Sequence, residues 1–153
     1  MKIHVAFYKS NHDKAKFMDK IISLTTNSMY SHVELVFDIA IDKFSGYCYS
    51  SSPRDGGVRS KLIEFNPTRW DLVEVDTDKT EDELYKFMSD HIGKKYDWLG
   101  AVGVVVPWFN GKEHRWFCSE IVAEFLGLSN PPRVSPGTLY SLLHAPHVAC
   151  AKS

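Results

Sequence analysis

Two spacings organise the apolar residues of this chain. Alternation, the two-residue period of a strand, is strongest over Ser31–Ile39: Val33, Leu35, Phe37 and Ile39 share one face, His32, Glu34, Val36 and Asp38 the other. Ile3 to Tyr8, Gly46 to Ser51, Val58 to Phe65 and Leu72 to Val75 read as further short strands, with a turn at Ser52-Pro53-Arg54-Asp55-Gly56-Gly57. The three-and-four spacing of a helix governs Phe17, Met18, Ile21, Ile22 and Leu24, behind a cap at Asn11. Thr80-Glu81-Asp82-Glu83 is a capping box, and it predicts a helix with Leu84, Phe87, Met88 and Ile92 inward and Gly93 at its end. Tyr96 to Val106 reads as a short buried helix, and Ser135-Pro136 starts a last one through Leu143. Between them, Cys118 opens a helix with Ile121, Val122, Phe125 and Leu126 inward and Gly127 as its stop. Strands cluster in the first half and helices in the second, without repeats or linkers. The expectation is one α+β domain over residues 1–153, an antiparallel sheet packed against helices.

Composition narrows the function classes. With 153 residues, 44% of them hydrophobic, the chain can build an ordinary core. Lys and Arg number 18 against 19 Asp and Glu, so nothing electrostatic favours a nucleic-acid partner. The three cysteines, Cys48, Cys118 and Cys150, are odd in number and widely spaced, so neither a disulfide framework nor a zinc site is expected, and a reducing compartment fits. No metal or cofactor is implied. The run Met1–Tyr8 is too short for a signal peptide. Leu99–Phe109 reaches about half a membrane span and is broken by Pro107, so a cytoplasmic protein without integral membrane association is expected.

Candidate chemistry centres on Cys118. The unpaired N–H groups of a helix's first turn stabilise a thiolate, as a cysteine nucleophile requires, although a cysteine beside Trp116 and Phe117 also suits simple core packing. A nucleophile needs a base. Of seven histidines, His32 ranks first because it opens a rigid, strongly alternating strand. His144 and His147 are fallbacks, and His91, His114, His4 and His12 have less to recommend them.

The stretch Gly93-Lys94-Lys95-Tyr96-Asp97-Trp98-Leu99-Gly100, followed by Phe117-Cys118-Ser119-Glu120-Ile121-Val122, resembles the core of NlpC-type papain-like cysteine hydrolases. The histidine segment, Ser31-His32-Val33-Glu34, precedes the cysteine here, an order that resembles the circularly permuted branch. That branch holds the YiiX-like hydrolases, the lecithin–retinol acyltransferase-like proteins and the PPPDE-type peptidases; Gly56-Gly57-Val58-Arg59 is similar to the YiiX-like group. The resemblance spans roughly residues 28 to 128 and implies a permuted papain-like fold. It implies Cys118 as nucleophile, His32 as general base, and Tyr96 and Ser119 at the oxyanion or substrate site with the Cys118 N–H. Implied substrates are peptide or isopeptide bonds, peptidoglycan stem peptides and lipid acyl groups. A phage-encoded origin, in host cytoplasm or virion, would suit a protein without an export signal.

The histidine-orienting residue departs from the family pattern. Relatives place a polar or acidic residue on the next strand, where this chain has Tyr47, Cys48, Tyr49, Ser50 and Ser51. The expectation is a hydroxyl or backbone carbonyl from Ser50 or Ser51. Glu34 lies on the His32 face but about 7 Å along the strand, and reads as a solvated position; Asp55 is the other carboxylate within reach of the turn. The alternative to a hydrolase is a non-catalytic interaction domain with a degenerate site.

Overall fold

The structure, a computed structural model, describes residues 1–10, 28–40, 42–96, 115–128 and 134–145. Strands β1 (Lys2–Lys9), β2 (Tyr30–Ile39), β3 (Ser45–Ser52), β4 (Gly57–Glu64), β5 (Trp70–Asp76), β6 (Lys95–Tyr96) and β7 (Arg115–Trp116) form one sheet in the order β5-β1-β2-β3-β4-β6-β7. Every adjacent pair is antiparallel except β6 and β7, which run parallel. The described helices are α1 (Glu81–His91), α2 (Cys118–Phe125) and α3 (Pro136–His144). The architecture is mixed α+β.

Local signals set the helix ends. Thr80 and Glu83 close the capping box of α1, Ser135 caps α3 with Pro136 in its first turn, and α2 ends in a Schellman motif. There Gly127, at φ +69°, donates its N–H to Glu124 O and the next residue, Leu128, donates to Ala123 O.

Both faces of the central strands are buried. On one, Ile3, Val5, Phe7, Val33, Leu35 and Tyr49 pack with Leu84, Met88, Ile121, Val122, Phe125 and Leu139 of the helices. On the other, Ala6, Val36, Cys48 and Phe65 form a second cluster that takes in Trp70 and Leu72. Covering the second face is why β2 buries residues at consecutive positions.

Several expectations need correction. Ile39 does not share a face with Val33 and Leu35 but packs in the second cluster, because the β2–β3 register shifts between Val36 and Asp38 and reverses the alternation beyond it. Ile92, expected inward, is the C-cap of α1 and 52% exposed. Tyr96 ends a strand rather than opening a helix. The helix expected behind Asn11, and residues 97–106 of the helix expected from Tyr96, lie outside the described residues.

Candidate active site

The site is assembled by the sheet's two short strands. Val58 N–H donates to Lys94 O and Gly93 N–H to Val58 O, tying β6 to β4, and β7 pairs with β6 through Lys95–Arg115 and Tyr96–Trp116. Gly57 is required at this seam: a Cβ on it would lie 2.1 Å from Lys94 O, with φ at +154°. The Ser51 hydroxyl donates to Trp116 O at 2.6 Å, fixing the chain just before α2. Phe117 is buried with extended backbone at the N-cap, and its N–H donates to Glu120 Oε2 at 3.1 Å. Cys118 is thus the first residue of α2, where the first-turn N–H groups have no intrahelical acceptors.

α2 packs on β2 and β3. The β2–β3 register ends at Leu35–Tyr49, and beyond it the Ser50 hydroxyl donates to Val33 O at 2.7 Å. Here the structure brings His32 and Cys118 close enough for their charges to interact. Cys118 is 1% exposed and the His32 side chain 18%, so solvent reaches the pair from the histidine side.

Glu34 holds the far side of the ring: its Oε1 lies 2.7 Å from His32 Nε2. That leaves Nδ1 as the ring nitrogen available to the thiol. Glu34 is 0% exposed and also takes a two-pronged bond from Arg59, Nη1 to Oε2 at 2.7 Å and Nη2 to Oε1 at 2.6 Å. Arg59 Nε in turn donates to Asp55 Oδ2 at 2.9 Å, and Lys61 Nζ lies 3.4 Å from Asp55 Oδ1. Charges therefore alternate outward from the ring: His32, Glu34, Arg59, Asp55, Lys61.

The electrostatics follow. Burial opposes protonation of His32, but the charges of Cys118 and Glu34 and the hydrogen bond to Glu34 outweigh it and raise its pKa to about 10. Burial also opposes ionisation of Glu34; the Arg59 hydrogen bonds and the His32 charge overcome it and hold the carboxyl below its ordinary range. Burial and the Glu34 charge push the other described thiol, Cys48, up, and its Sγ contacts Gly46 O at 3.4 Å.

The expectation for the orienting group is overturned. Ser50 and Ser51 spend their hydroxyls on Val33 O and Trp116 O, and Glu34, expected in solvent, is buried against His32. A spacing of about 7 Å along the strand is bridged because an imidazole and a glutamate on one face each extend several ångströms from their Cα atoms. Asp55 sits two contacts away, behind Arg59. Ser119, expected at the oxyanion or substrate site, is fully buried with its hydroxyl given to Val134 O, joining α2 to the segment before α3. Tyr96 is buried with its ring 6.0 Å from that of Phe117, next to the start of α2.

Among the other histidines, His91 and His144 bond the carbonyls of Phe87 and Tyr140 within their own helices, and His4 pairs loosely with Glu74 on the sheet. His12, His114 and His147 lie outside the described residues. Arg59 is the member of this cluster that sequence reasoning missed. Its signal was a register: one step beyond Leu35–Tyr49 sets Glu34 beside Ser50, and Ser50 pairs with Arg59. The small serine lets the arginine reach across a strand.

Among the described residues no group of three or more His, Cys, Asp or Glu is arranged to hold a metal, and no helix is long and apolar enough to cross a membrane. No protein-family model matches the chain, and neither does any curated protein.

Proposed function

We propose that this protein is a cysteine hydrolase of permuted papain-like type, cleaving an amide or ester bond through a thioester on Cys118. The observation that carries the reading is His32 bonded to the buried Glu34 carboxylate and set close enough to Cys118 for their charges to interact. His32 takes the thiol proton, and the sulfur attacks the substrate carbonyl carbon. The oxyanion then meets the first-turn N–H groups of α2. As the tetrahedral intermediate collapses, the carbon–nitrogen or carbon–oxygen bond breaks and the proton on His32 passes to the leaving amine or alcohol. His32 next removes a proton from water, which attacks the thioester, releases the acid and restores the thiol. Glu34 stays ionised throughout and stabilises the imidazolium. Peptide bonds, peptidoglycan stem peptides and lipid acyl esters are the substrate classes to which the resemblance extends.

A second reading, a non-catalytic interaction domain on the same scaffold, is favoured by the 1% exposure of Cys118. One experiment separates the two. Panels of peptide amides, stem peptides and acyl esters are incubated with the protein, followed by intact mass spectrometry. A hydrolase gives a hydroxylamine-labile acyl adduct on Cys118, and Cys118→Ala and His32→Ala each lose turnover while staying folded. Hydrolysis that survives Cys118→Ala would remove the proposal.

A further inference from the structure

We propose that Arg59 is a positioning residue of this site, a guanidinium clamp that keeps Glu34 ionised and aimed at His32. The inference rests on the cysteine-hydrolase reading and deepens it. A carboxylate buried as completely as Glu34 is stable only if paired and hydrogen-bonded, and His32 occupies just one of its oxygens. Arg59 supplies the remaining bonds, one to each oxygen, in the planar geometry that fixes a carboxylate's orientation as a lysine cannot.

The clamp is itself anchored. Arg59 Nε is held by Asp55, which lies in the turn 53–56, closed by Asp55 N–H donating to Ser52 O and turned by Gly56 at φ +84°. The groups facing Glu34 can be named strand by strand: His32 on its own strand, Ala6 as its β1 partner, Cys48 on β3, and Arg59 on β4 with Asp55 behind. Arg59 is the single described cation among them besides the imidazolium. If it were removed, Glu34 would compete with His32 for the proton that the mechanism requires on the imidazole. The chemistry would then fail although the nucleophile and base were both present.

The test is the acid limb of Cys118 alkylation by iodoacetamide, read peptide by peptide with Cys48 as internal control, in wild type, Arg59→Gln and Arg59→Lys. Loss of the cation raises the pH at which Glu34 ionises, so the limb in Arg59→Gln moves up by about 1–3 pH units. Arg59→Lys keeps the charge and loses the fork; its limb stays near wild type while its plateau rate falls. A folded Arg59→Gln protein with an unmoved limb overturns the proposal and leaves the hydrolase reading intact. If Arg59→Gln does not fold, Asp55→Asn reads the same clamp: a smaller upward shift supports it, and no shift overturns it. Should wild-type Cys118 react no faster than Cys48, the hydrolase reading fails instead. Carbon-13 titration of the Glu34 carboxyl in wild type and Arg59→Lys then still decides whether Arg59 holds it ionised.

Discussion

Glu34 is where the site's stability and its proposed chemistry meet, since one buried carboxylate contacts both His32 and a fixed cation. Glu34→Gln leaves the Arg59 guanidinium with Asp55 as its one carboxylate partner and should cost about 3–5 kcal/mol in urea denaturation, as breaking one side of a buried pair does. Its pH signature has a definite sign. The Glu34 pKa is depressed, so its contribution is present above the ordinary value of 4.5 and lost as pH falls through the lower folded value. The His32 pKa is raised, so its contribution is complete below 6.5 and lost as pH rises towards about 10. Wild-type melting temperatures should therefore fall on both flanks, and Glu34→Gln should flatten the acid flank; an unchanged acid flank would contradict the pairing. His32 and Cys118 were legible in the sequence from their positions at a strand start and a helix start. The contact between His32 and Glu34 was not, because backbone spacing omits the combined reach of two side chains. Arg59 required the register of three strands, a long-range property that no local pattern encodes.

Among the elements, α2 depends on its two ends. At its C-terminus Gly127→Ala should destabilise by about 1 kcal/mol in thermal or urea unfolding, because φ +69° penalises a Cβ. Ser119→Ala should cost about 1–3 kcal/mol by leaving the Val134 carbonyl without its donor. Neither substitution touches His32 or Glu34, so cysteine reactivity at temperatures well below melting should persist in both variants. Gly57→Ala is different in kind. Its Cβ would collide with Lys94 O, part the β4–β6 seam and displace the strand that delivers Cys118. Reactivity at Cys118 should collapse there with a smaller loss of global stability, a split read by comparing alkylation with the melting curve. Capping residues such as Thr80, Ser135 and Gly127 made the helix ends readable. Strands of two residues such as β6 and β7 carry no period, so a strand ending at Tyr96 was invisible to pattern and was read as a helix start.

Across the whole molecule, the sheet buries both faces of β2 and closes α2 against it, so Cys118 and His32, far apart in the chain, meet in a low-dielectric interior. There an ion pair is stronger than in water, and the same burial restricts access to the thiol. The α+β class was legible from the order of periodicities. The shifted register that moves Ile39 to the second face was not, because a bulge changes pairing without changing composition. The central claim is that His32 activates Cys118, and its most direct test is the iodoacetamide rate constant at each cysteine near pH 7 in wild type and His32→Ala. The account predicts that Cys118 reacts roughly tenfold or more faster in wild type than in His32→Ala, an unactivated thiol being only a few per cent thiolate at that pH. A Cys118 rate unchanged by His32→Ala would contradict it.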